Sequence, residues 1–117
     1  MKLPIELYSK EYNSISYNCA HFACEIWTLL GKTGLENALG GLLNGRKDRV
    51  VSLDHLKLLK RLACPQEGCL VYFHITGHSH VGIWIGGRVL HITREGVRLE
   101  LLETVKVGFS KVRFFTC

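Results

Sequence analysis

Two segments of this chain hold side chains able to do nucleophilic chemistry. The first is Ser16-Tyr17-Asn18-Cys19-Ala20-His21-Phe22, which leads into an amphipathic stretch and places Cys19 in the first turn of an expected helix. Unpaired N–H groups and the positive end of the helix dipole stabilise a thiolate there and lower its pKa. The thiolate is the nucleophilic form, and the same N–H groups can hold a developing oxyanion. The competing reading is a small buried thiol, the common fate of free cysteine. The second segment is Gly77–Gly87, with His80 at the start of an apolar strand and His91 on the next strand, across a Gly86-Gly87 hairpin. His80 lies six residues before that turn and His91 four after it, which predicts diagonal rather than direct contact. His91 then fixes the tautomer of His80 while the other His80 nitrogen faces Cys19. Taken alone, this segment is better explained as two half-buried, hydrogen-bonded histidines. A helix-start cysteine together with a strand histidine is the pairing that a thiol hydrolase needs.

Other clusters carry less. Cys19, His21 and Cys24, with Cys64, Cys69, His74 and His78, invite a metal reading. Structural zinc favours tight C-x2-C pairs, whereas both cysteine pairs here are separated by four residues. On a helix, Cys19 and Cys24 point about 140° apart. No metal and no cofactor are expected. Gly31-Lys32-Thr33 resembles the end of a phosphate loop, but the glycine that pattern requires is replaced by Ile26. His21 and Glu25 share a polar helix face. Trp27 and Trp84 read as core aromatics, and His55 as a surface residue.

The elements that must position these residues follow from periodicity. Residues 1–18 read as an irregular lead-in. Phe22, Ala23, Ile26, Trp27 and Leu30 form one apolar stripe, predicting a helix over 19–30 that Gly31 and Gly34 stop. A short helix is predicted at 35–43 and a polar turn at 44–48. A second helix is expected over Leu53–Leu62, with Ser52 as N-cap, Asp54 in its first turn and Pro65 closing the region. From Gly68 the pattern becomes β, with strands expected at 69–75, 79–86, 88–93, 97–102 and 111–116, and turns at Gly86-Gly87 and Glu95-Gly96. Helices followed by a strand meander predict a single α+β domain over 1–117.

The order of these elements resembles the NlpC-type, papain-like cysteine peptidases of bacteria and phages. Their helix-borne cysteine is followed by a proline, a Gly-Asp-led strand, an HVGIY-type strand and a further histidine. This chain offers Pro65, then Gly68-Cys69-Leu70-Val71-Tyr72-Phe73, then His80-Val81-Gly82-Ile83-Trp84-Ile85-Gly86, then Leu90-His91. The resemblance spans about residues 17–93 and is most specific at HVGI-aromatic-x-Gly. It implies Cys19 as nucleophile, His80 as base and His91 as orienting residue, with Tyr17 and Asn18 near the oxyanion and substrate. It also implies a papain-like domain of N-terminal helices on a five- or six-stranded antiparallel sheet. Asn18-Cys19-Ala20-His21 stands where the family usually reads Asp-Cys-Ser-Gly, and Gly68-Cys69 where it reads Gly-Asp. These departures bear on the substrate class more than on the chemistry. The Asn-Cys-x-His-Phe run is also similar to the lecithin:retinol acyltransferase-like branch, in which the histidine precedes the cysteine. Here Cys19 precedes His80, as on the peptidase side.

Bulk properties bound the setting. The chain has 117 residues, 47% of them apolar, enough for one folded core. Its five cysteines are an odd number, and no export signal or bilayer-length apolar run is visible, which sets the expectation of reduced thiols and a cytoplasmic origin. Reaching cell wall would then take a phage particle, lysis or non-classical export. The net charge of +5 reads as a solvated basic surface, and no aromatic residues interleave with Lys57, Lys60 and Arg61 as they would in a nucleic-acid platform. The expected activity is a cysteine peptidase or amidase acting on a peptide or peptidoglycan-like substrate through a thioester. The alternatives are an acyltransferase or deamidase on the same scaffold, or a non-catalytic phage assembly module. Oligomeric state is left open.

Overall fold

The computed structural model describes residues 3–43 and 56–117. The polar turn at 44–48, Ser52, Asp54 and His55 lie outside them. The first long helix, α1 (Cys19–Leu29), forms where the apolar stripe predicts it and buries Phe22, Ile26 and Trp27 completely. Each such side chain contributes about 1.5–3 kcal/mol by leaving water. Two single-turn helices follow, α2 (Leu35–Ala38) and α3 (Gly40–Leu43), in place of one short helix. The lead-in carries a 3-10 turn, Ile5–Ser9, packed against the far edge of the sheet.

Among the described residues, six antiparallel strands make one sheet: β1 (Lys60–Leu62), β2 (Leu70–Ile75), β3 (His78–Ile85), β4 (Arg88–Thr93), β5 (Gly96–Glu100) and β6 (Lys111–Thr116). Their spatial order is β1-β6-β2-β3-β4-β5. The chain is therefore α+β, as expected. The helix expected to run to Leu62 is corrected at its end. Lys60, Arg61 and Leu62 instead pair with Thr116, Phe115 and Phe114. The open edge of β6 offers backbone partners that a local helical pattern cannot see. The strand expected over 97–102 stops at Glu100, and Leu102–Val105 forms a helical turn, α4. The hairpin after β4 turns on Arg94 and Glu95, with Gly96 (φ +118°) already opposite Thr93.

Strand alternation divides the interior in two. Tyr72, Val81, Ile83, Leu90 and Ile92 face α1, whereas Val71, Phe73 and Val89 face away and are covered by Trp84, Phe109 and Phe114. A side-chain hydrogen bond ties the helix to the turn that leads into β2. Trp27 Nε1 donates to the Gly68 carbonyl at 3.0 Å, and the Gly68 N–H donates to Trp84 O at 2.7 Å. Gly68 sits at φ +80° in the turn that starts β2, a conformation glycine adopts without penalty. Among the described residues, no helix is long and apolar enough to cross a membrane.

Candidate active site

Asn18 starts α1 and holds Cys19 in place. Its Oδ1 accepts from the backbone N–H of Ala20 (2.9 Å) and His21 (3.4 Å), while His21 Nδ1 accepts from the Asn18 N–H at 3.0 Å. This reciprocal cap satisfies helix donors that would otherwise be orphaned. Asn18 Nδ2 donates to Leu42 O at 2.6 Å, so the cap also docks α1 against α3. The sequence reading placed Asn18 at the substrate. Here its polar atoms serve the backbone, although it does line the cavity described next.

The β3–β4 ladder ends at Ile83–Leu90, yet β3 starts at His78 and β4 runs to Thr93. A cavity of about 240 Å³ opens where these strand ends part. His78, Ser79 and His80 form one wall, and Ile92, Thr93 and Arg94 the other. Asn18 and Cys19 reach it from the head of α1, with Tyr12, Leu42 and Phe109 around them. Arg94 carries the one formal charge among these residues, and its guanidinium lies over the Tyr12 ring at 5.8 Å.

His80 stands directly opposite Phe73, so its ring belongs to the face turned away from α1. It stacks on Phe109 with ring centroids 6.0 Å apart. Cys19 comes from the α1 side. The two therefore meet one cavity around the parted strand ends, not across a sheet face. His91 crosses to His80 diagonally, as the turn arithmetic predicts, with Nδ1 2.7 Å from His80 Nε2. The second His91 nitrogen, Nε2, lies 2.8 Å from Glu100 Oε1 on β5. Burial, reinforced by His91 and His78, lowers the pKa of His80 to about 3. Burial also lowers that of His91, against the opposing pull of Glu100. Both rings are neutral near pH 7.

The thiols differ. None of the five cysteines is in a disulfide; Cys19, Cys24 and Cys69 are buried, and Cys64 and Cys117 are exposed. Burial pushes Cys24 up to about 12 and also raises Cys69, leaving both as inert packing groups. Cys19 is the cysteine that lines the cavity. Among the described residues, no three His, Cys, Asp or Glu side chains converge as a metal site requires.

Tyr17, expected near the oxyanion, is turned elsewhere. Its hydroxyl donates to Glu25 Oε2, and its ring packs edge-on against Phe22. Burial and Glu25 raise its pKa well above the usual tyrosine range. Glu25 also pairs with Lys10 at 3.4 Å, so the polar face of α1 is tied to the lead-in. Glu100 was not singled out by sequence reasoning. Its signal was present: it is the one acid in the apolar run Val97–Leu102, and correct turn arithmetic puts it opposite Val89, diagonal to His91. Comparison with protein-family models, curated proteins and solved structures finds no match.

Proposed function

We propose that this chain is a cysteine hydrolase of the NlpC-type, papain-like plan that cleaves an amide bond. The observation that carries the reading is that Cys19, at the capped head of α1, and His80, held by His91, line one cavity. A thiol at a helix start has the environment that favours thiolate, and a neutral imidazole on the same cavity is a group able to take the proton. In this reading the Cys19 sulfur attacks the carbonyl carbon, and the backbone N–H of Cys19 helps hold the oxyanion. Collapse expels the amine, which takes a proton from His80 and leaves a thioester. Neutral His80 then activates water to release the acid. This chemistry draws on no cofactor. Peptidoglycan stem peptide is the substrate class that the resemblance implies.

The test is incubation of the full chain with peptidoglycan fragments, with cleavage products identified by mass. Wild type releases new termini, while Cys19→Ala and His80→Ala release none. Products that persist in Cys19→Ala end the reading. Transfer of the trapped acyl group to an added amine in preference to water reassigns the chain as an acyltransferase.

A further inference from the structure

We propose that Glu100 is a positioning residue that fixes the tautomers of His91 and His80 and thereby makes Nδ1 of His80 the proton acceptor. The inference deepens the hydrolase reading and rests on it for the identity of the reacting pair. A carboxylate offers only acceptors, so His91 Nε2, 2.8 Å from Glu100 Oε1, carries a hydrogen. A neutral imidazole has one N–H, which leaves His91 Nδ1 as a lone pair. His80 Nε2 lies 2.7 Å from that lone pair and must donate to it. The single hydrogen of neutral His80 is thus committed, and its Nδ1 is the free base. With both rings neutral, the other assignments set two hydrogens or two lone pairs face to face, or aim a lone pair at a carboxylate.

The chain of contacts crosses three neighbouring strands, β3, β4 and β5. His91 in the middle is 4% exposed, so it has little access to water as an alternative partner. On activation the Cys19 S–H bond breaks, its electron pair stays on sulfur, and the proton forms an N–H bond at His80 Nδ1. The new positive charge lies at the end of two hydrogen bonds from the Glu100 carboxylate. The other charged or titratable groups facing the two rings are His78 on β3 and Arg98 on β5, with Cys19 and Arg94 across the cavity. Both His78 and Arg98 disfavour a charged imidazole, and Glu100 opposes them.

The experiment reads imidazole nitrogens by long-range 1H–15N correlation in the full chain, alongside the iodoacetamide alkylation rate at Cys19 followed by peptide mass. Exposed Cys64 and Cys117 serve as unassisted references. In wild type both His80 and His91 show a protonated Nε2 and a lone pair at Nδ1. In Glu100→Ala the Nδ1–H form of His91 appears, the Cys19 rate near pH 7 falls about tenfold, and its half-maximal pH moves up. Glu100→Gln keeps an acceptor oxygen, so it retains the tautomers but loses charge, and its rate lies between the two. A purely structural Glu100 would change unfolding alone and leave the tautomers and the pH profile where they were. A wild-type His91 with hydrogen on Nδ1 overturns the proposal without any variant, and the Gln variant decides if the Ala variant does not fold. Correct tautomers with Cys19 no faster than Cys64 remove the hydrolase reading but leave this assignment standing. A fast Cys19 indifferent to Glu100 removes this assignment alone.

Discussion

Replacing Gly82 with alanine adds one carbon on β3 at a crowded point against β4, one residue beyond their last ladder pair, Ile83–Leu90. That carbon would stand 2.6 Å from Val89 Cγ1, 3.0 Å from His91 Cβ and 3.1 Å from Leu90 O. Carbon atoms pack comfortably at about 3.5–4.0 Å, so the strands must separate by about 1 Å or His91 must tilt. Gly82 is not among the glycines at positive φ, so the cost is packing and not backbone strain. Overpacking of this kind costs about 1–3 kcal/mol. At about 4 °C per kcal/mol for a domain of this length, Tm falls by several degrees. A retreat of His91 by about half an ångström would also stretch its 2.7 Å bond to His80 to the limit of a good hydrogen bond. Urea unfolding and Cys19 alkylation should therefore decline together. Gly108, with nothing within 4 Å of its notional Cβ, is the control, and Gly108→Ala should leave both unchanged. A Gly82→Ala protein that matches wild type within about 0.5 kcal/mol, the ordinary spread of surface substitutions, would refute the idea that this glycine lets His91 reach His80.

Two further outcomes follow. Asn18→Ala removes the acceptor for the Ala20 and His21 N–H groups and the donor to Leu42 O, and should cost about 1–3 kcal/mol in urea unfolding; a loss below 0.5 kcal/mol would contradict the capping role. Acid should destabilise the fold through His80: its folded pKa of about 3 lies below the unfolded value near 6.5, so the unfolded chain binds more protons as pH falls through that window. Stability is thus fully present above pH 6.5 and declines below it, by at most about 2 kcal/mol at pH 5 from this group, because each pKa unit is worth about 1.4 kcal/mol. Denaturant midpoints that stay level from pH 7 to pH 5 would show that His80 is not buried as described.

Much of the fold was legible because it rests on local rules. The Phe22–Ile26–Trp27 stripe can only be buried as a helix, and Asn18 before it is a strong cap, so α1 and the position of Cys19 at its head could be read directly. The Gly86-Gly87 turn determines the register of its hairpin, from which the diagonal His80–His91 contact follows by counting. Errors arose where a distant partner decided the outcome. Lys60–Leu62 is a strand because β6 lies beside it, 52 to 56 residues later, at Phe114–Thr116. Tyr17 was expected near the oxyanion from the family resemblance, but its hydroxyl donates to Glu25 on α1.

Glu100 shows where that limit falls at the site itself. A one-residue misplacement of the β4–β5 turn, onto Glu95-Gly96 instead of Arg94-Glu95, slides β5 by two residues along β4, which keeps each side chain on its face but sets Glu100 opposite His91 instead of Val89. By itself, then, the sequence determined which residues could react and which elements would carry them, because helix and strand periods are properties of short segments. Only the tertiary structure decided that Cys19 and His80, approaching from opposite faces of the sheet, come to one cavity, since the parting of β3 and β4 beyond Ile83–Leu90 depends on backbone pairing between segments that local pattern does not encode.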